Sequence, residues 1–67
     1  MECFQIIKKF RKDKGLTQSQ IANILNMTQS NYAKIEINKI GISVNDLKNL
    51  CSYYNVSADF FLGLSID

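Results

Sequence analysis

Apolar residues recur along this chain at the spacing of a helix face. Over roughly residues 2–14, Cys3, Phe4, Ile6, Ile7 and Phe10 form one stripe, and Gly15 follows where a left-handed residue commonly ends a helix. One arrangement then recurs four times: an apolar residue, a Ser or Thr, and a second apolar residue five positions after the first. The four instances are Leu16-Thr17-Ile21, Met27-Thr28-Tyr32, Ile42-Ser43-Leu47 and Val56-Ser57-Phe61. Each fits a capped helix start, in which the hydroxyl accepts from a free backbone N–H and the two flanking apolar residues pack as a staple. Thr17 with Gln20 also fits a capping box, and Ser43 with Asp46 a weaker one. Helices are therefore predicted at about 18–25, 29–37, 44–54 and 58–62, after the first at 2–14. With no strand candidate and no proline, this is an all-α chain, a compact five-helix bundle forming a single domain over residues 1–67.

The pattern also separates core from surface. In the second helix Ile21, Ala22 and Leu25 turn inward with Leu16, and Ala22 is small enough to let a neighbouring helix approach closely. Asn26 suits a sharp turn, since Asn tolerates a left-handed backbone better than other non-glycine residues. The third helix buries Tyr32 and Ile35, leaving Gln29, Ser30, Ala33 and Lys34 outward and Asn31 near the edge. Asn38 is placed to close that helix and Gly41 to bend the loop behind it. Val44, Leu47, Leu50, Cys51 and Tyr54 make the fourth helix a core helix, and Phe60, Phe61, Leu62 and Leu64 crowd together at the fifth.

Composition narrows the function classes. At 67 residues and 46% hydrophobic content the chain is near the size at which one core barely suffices. Histidine is absent, and Cys3 and Cys51 form no CxxC pair, so the usual zinc and thiol–base constellations are missing; the cysteines are expected to be unpaired, small apolar residues. No nucleophile sits beside a base at a recognisable spacing, which argues against an enzyme, and no cofactor or small-molecule ligand is indicated. There is no run of about eighteen apolar residues and no leader-like start, so no membrane partner is expected and the cytoplasm is the expected location. The net charge of +2 is uneven: residues 1–42 carry seven basic and three acidic side chains, whereas residues 43–67 set Lys48 against Asp46, Asp59 and Asp67. A basic front suits a polyanionic partner.

The run KKFRKDKGLTQSQIANILNMTQSNYAKIE, followed by a loop, a fourth helix and VSADFFLG, resembles the Cro and phage-repressor type of helix-turn-helix domain, the xenobiotic-response-element (XRE) family. The resemblance spans about residues 6–63 and rests on Arg11, Gly15-Leu16-Thr17-Gln18, Ala22 and Ile35-Glu36 taken in register. It implies a lambda-repressor-like fold whose second and third helices are the DNA-binding unit, the third lying in the major groove of double-stranded DNA. Gln29, Ser30 and Lys34 then fall where the family reads bases, with Asn31 and Ala33 close by; Gln18 and Thr28 fall at phosphate contacts, as do Asn38 and Lys39 in the following loop. Arg11 and Glu36 match positions that form a partly buried ion pair near a phosphate. Without that register, the same polar face reads as ordinary solvated surface. The chain departs from the family pattern at Asn26 and Asn38, where Gly is frequent, and at Ile40-Gly41-Ile42, where Pro and basic residues are frequent. Tyr32 replaces the usual Ile or Val, implying either looser packing or a hydroxyl that reaches the edge.

Two partner readings follow. So small a module covers few phosphates, and helix-turn-helix proteins commonly pair across two half-sites, so a homodimer on a palindromic operator is expected, joined through Phe60, Leu62, Leu64 and Ile66. Phe61 is assigned to the core instead. Repression needs only occupancy, which favours a repressor over an activator. The rival is a protein-interaction module, holding an antitoxin-type or anti-repressor partner, that uses the same fold and the apolar set Ile37, Ile40, Ile42, Phe60, Phe61, Leu64 and Ile66.

Overall fold

Helix boundaries in this protein are written by short repeated connectors. In the computed structural model, which describes residues 1–64, the chain forms α1 (Cys3–Asp13), α2 (Gln18–Ile24), α3 (Gln29–Glu36), α4 (Val44–Tyr54) and α5 (Ala58–Phe61), with no strand among the described residues. Every helix ends on a residue with positive φ: Gly15 (71°), Asn26 (58°), Asn38 (61°), Asn55 (59°) and Gly63 (73°). The next residue then returns its N–H to a carbonyl five positions back, as Leu16 to Arg11 (3.1 Å), Met27 to Ala22 (2.9 Å) and Val56 to Cys51 (3.0 Å). This closure satisfies carbonyls that the helix end leaves free. Three times the connector is only a left-handed residue, an apolar residue and a Ser or Thr cap: Gly15-Leu16-Thr17, Asn26-Met27-Thr28 and Asn55-Val56-Ser57.

The caps work as the pattern predicts at three of four sites. Thr17 Oγ1 accepts from Gln20 N–H (3.1 Å) while Gln20 Oε1 accepts from Thr17 N–H (2.7 Å), completing the box. Thr28 and Ser43 accept from Asn31 N–H (3.1 Å) and Asp46 N–H (3.0 Å). Ser57 has the extended backbone of a cap but no side-chain bond, so α5 starts without a hydroxyl cap and relies on its backbone bonds and packing. A helix of four residues has no stability of its own. It is anchored by fully buried Phe61 and by Phe60, both set edge-on against Phe10 at centroid distances of 5.8 and 5.0 Å. Tyr54 of α4 meets the same Phe10 ring at 4.6 Å, and such pairs add about 0.5–1.5 kcal/mol each beyond area burial.

The core consists of Ile7, Ile21, Ala22, Leu25, Tyr32, Ile35, Leu50 and Phe61, drawn from all five helices and the end of α2. Ala22 of α2 is buried, as its inward position predicts. Two expectations are corrected. Val44 has the right spacing for the α4 stripe but is 78% exposed; spacing identifies a face without saying how far along the helix that face is covered. Leu62 and Leu64 lie exposed after α5 and are not crowded into the core, while Phe60 is half-buried. Among the described residues no helix is long and apolar enough to cross a membrane.

Candidate nucleic-acid interface

The site is built from the inside out, starting with a buried charge pair. Arg11, near the end of α1, and Glu36, the last residue of α3, are the two buried charged residues among the described residues, at 8% and 3% exposure. The pairing is two-pronged: Arg11 Nε donates to Glu36 Oε2 at 2.6 Å and Nη2 to Oε1 at 3.0 Å. Arg11 Nη1 also donates to the Leu16 carbonyl at 2.7 Å, so one guanidinium ties α1 both to α3 and to the connector entering α2. Burial alone would raise the Glu36 carboxyl, but hydrogen bonds and the charge of Arg11 outweigh it and hold the carboxyl below its ordinary value. The Arg11 guanidinium is pushed up, chiefly by its bonds to Glu36.

From this pair, hydrogen bonds run outward to the surface. Gln18, the first residue of α2, donates from Nε2 to Glu36 Oε1 at 3.0 Å and accepts on its Oε1 from Gln29 Nε2 at 2.7 Å. Gln29 is itself the first residue of α3, so the N-termini of the two helices meet at one edge of the molecule. Gln29, Ser30 and Asn31 are exposed there, with Thr28 beside them as the α3 cap; Lys34, one turn on, is half-buried with Ala33. Beyond α3 the Lys34 carbonyl accepts from Lys39 N–H at 2.8 Å, folding the exposed Asn38 and Lys39 back beside the helix. Gln18 and Gln29 thus meet at the helix starts, while Asn38 and Lys39 follow the far end of α3. The loop itself is apolar: Ile37 and Ile40 are exposed, and Ile42 packs against the core.

What sequence reading missed is the use of Gln18. Its amide is engaged on both ends by protein groups, a role that depends on how α2 and α3 cross and has no local signature. The Tyr32 hydroxyl does not reach the edge. The residue is fully buried, and its hydroxyl, also buried, has no hydrogen-bond partner among the described residues. Burial, and next the neighbouring Glu36 carboxylate, push the phenol far above its ordinary value. The left-handed Asn55 was also missed, although Asn55-Val56-Ser57 repeats the order of Asn26-Met27-Thr28 and could have revealed it.

Other chemistry is sparse. Cys3 and Cys51 are both free, and burial raises both thiols, the opposite of what activates a cysteine. Among the described residues no group of three or more His, Cys, Asp or Glu side chains is placed to hold a metal. Of the proposed pairing residues, Phe60 is half-buried, Leu62 and Leu64 are exposed, and Ile66 lies outside the described residues.

Known proteins carry the same organisation. A family model described as helix-turn-helix matches residues 7–61. Over 56 residues the chain is 38% identical to the SPbeta prophage-derived uncharacterized HTH-type transcriptional regulator YonR of Bacillus subtilis (strain 168), an alignment covering 84% of this chain and 52% of that protein. The crystal structure of a transcriptional regulator from Listeria innocua superimposes with a TM-score of 0.89 over 98% of this chain and 62% of that one, at 23% identity, and so shares the fold. The chain therefore spans about half the length of the curated relative it matches. With the match running from α1 to α5 and α2 and α3 meeting at their N-termini, the chain belongs to the helix-turn-helix family.

Proposed function

We propose that residues 1–67 act as one domain that binds double-stranded DNA sequence-specifically and regulates transcription as a repressor, in the cytoplasm, as a homodimer on a palindromic operator. The observation that carries this reading is the joined N-termini of α2 and α3, bridged by the 2.7 Å Gln29–Gln18 bond, with a solvent-facing row of polar side chains beside them. In this reading α3 enters the major groove and α2 crosses the backbone. Gln29, Ser30 and Lys34 contact base edges with Asn31 adjacent; Thr28, Asn38 and Lys39 hold phosphates, joined by Gln18 and by whatever donors Arg11 retains beyond Glu36 and Leu16. The family match and the printed description of the Bacillus relative as a transcriptional regulator support it.

The homodimer rests on the flank between α1 and α5. Leu62 and Leu64 are exposed on either side in sequence of Gly63, which with Met1, Ile6, Lys9, Phe10, Asp13 and Phe60 lines a groove of about 370 Å³. Selection from a random duplex library tests specificity, symmetry and half-site spacing together. Recovery of an inverted repeat with affinity falling steeply as salt rises is expected. The exposed Ile37 and Val44 favour one second reading, a protein-interaction module; binding to duplex DNA that is absent, or indifferent to salt, would establish it in place of the first.

A further inference from the structure

We propose that Lys8 and Lys12 of α1 form a second phosphate-binding strip, which continues the DNA contact past the far end of α3 and supplies the charge that the apolar loop after α3 lacks. The inference rests on the reading of this chain as a DNA-binding domain and adds two contact residues to it.

The cations of this first helix differ in what each already holds. Lys9 Nζ donates to Asp13 Oδ2 at 2.9 Å, the Lys14 ammonium lies 5.1 Å from the centre of the Phe10 ring, and Arg11 is buried against Glu36. Lys8 and Lys12 are exposed, and neither is ion-paired among the described residues. Four positions apart, they stand on one face of α1, where two like charges weaken a helix. Both line one groove, and its carboxylates bring no relief: Asp13 is held by Lys9 and Glu36 by Arg11. Folding thus leaves these two cations without an internal partner, and a row of external anions supplies one.

Placement decides which anions these are. Glu36 is the last residue of α3, so the groove joins the lysine face of α1 to the far end of that helix. Phe4, about one turn before Lys8, lines this groove and also a neighbouring one, which holds Asn38 and Ile40. A surface therefore runs from Lys12 and Lys8 across Phe4 to Asn38, with exposed Lys39 next in the chain. Asn38 and Lys39 are the phosphate contacts proposed beyond α3, and Ile40-Gly41-Ile42 after them carries no charge. A duplex backbone held at Asn38 and Lys39 continues past them, and the α1 lysines are the cations along that surface. At this helical spacing their Cβ atoms stand about 5–6 Å apart. A lysine ammonium is a point charge on a flexible stem, so the pair meets neighbouring phosphates without a fixed geometry. An acidic protein segment matches the charge equally well, but continuity with Asn38 and Lys39 favours the phosphate backbone.

The test uses the full chain and the duplex that it selects from a random library. Lys8→Gln combined with Lys12→Gln removes the strip. Lys48→Glu, at an exposed position of α4 outside the groove, lowers the net charge by the same amount and serves as the control. Thermal melting checks folding, and the double variant should melt no lower than the parent because it relieves two like charges. Affinity is then measured across a range of salt concentrations. Each phosphate contact adds about 0.9 to the steepness of log affinity against log salt, so the double variant is expected to be shallower by about 1.8 and each single substitution by about 0.9. Lys48→Glu is expected to change the slope by about 0.5 or less. The selected sequence should stay the same, since phosphates carry no base identity. Ethylation of individual phosphates should interfere with the parent at positions in each half-site where it no longer affects the double variant. A slope and ethylation pattern unchanged in the double variant, a slope lowered as much by Lys48→Glu, or an altered base preference would overturn the inference while leaving DNA reading intact. Duplex binding by the parent that is absent or indifferent to salt would overturn the DNA reading itself, and the inference with it.

Discussion

Replacing Glu36 by alanine removes the acceptor of three hydrogen bonds, from Arg11 Nε, Arg11 Nη2 and Gln18 Nε2, and leaves a guanidinium that is 8% exposed without its counter-charge. Breaking a buried pair by removing one partner costs about 3–5 kcal/mol, because the remaining charge stays desolvated. A chain of 67 residues has a total stability on the order of 3–10 kcal/mol, so the substitution is expected to consume a large part of it. At about 4–8 °C per kcal/mol for a domain this small, Tm should fall by roughly 12 °C or more. Urea unfolding followed by far-ultraviolet circular dichroism measures the change, and DNA affinity should fall with it because α3 loses its tie to α1. The double substitution Arg11→Met with Glu36→Leu separates the cost of an orphaned charge from the worth of the pair. It should recover most of the loss, since apolar replacement of a buried pair is often close to neutral. The acid limb supplies an independent check. A carboxyl held below its ordinary value of 4.5 contributes stability that is present above that value and lost as pH falls through the lower, folded one. The unsubstituted chain should therefore lose stability below about pH 4.5, and Glu36→Ala should lose less. If Glu36→Ala unfolds within about 1 kcal/mol of the parent, or the double variant is no more stable than the single one, the buried-pair reasoning is wrong.

Three further outcomes are expected. Tyr32→Phe deletes a buried hydroxyl that has no hydrogen-bond partner among the described residues, so it should be neutral or stabilising by about 1 kcal/mol, seen as an unchanged or higher urea midpoint; clear destabilisation would mean the hydroxyl has a partner in solution. At Asn26, whose φ is 58°, alanine should destabilise by about 1 kcal/mol while glycine should equal or exceed the parent, again by urea midpoint; equal effects would remove the left-handed turn as the reason for asparagine. Leu64→Asp places a charge on an exposed residue and should leave Tm nearly unchanged while shifting sedimentation toward monomer; an unaltered dimer would move the pairing surface elsewhere.

The legible part of this protein is what depends on neighbours along the chain. Cap hydroxyls, left-handed asparagines and staple residues act within about five positions, so Thr17, Thr28 and Ser43 bond as their spacing implies and the five helices start where they should. Stripe periodicity identified the interiors of α2 and α3, since Ile21, Ala22, Tyr32 and Ile35 are all buried. The pairing of Arg11 with Glu36 came from the family register, because two residues 25 positions apart carry no local sign that they will meet.

Only the packed molecule decided the rest, for one physical reason: coverage and partnership are set by neighbours from other elements. Val44 has a core spacing and is open to solvent, whereas Tyr32, with a polar tip that suggests an edge, is sealed inside. Gln18 is the sharpest case. By itself it is a polar residue behind a helix cap; the crossing of α2 and α3 places its amide between a buried carboxylate and a surface glutamine, which gives both of its ends a single direction.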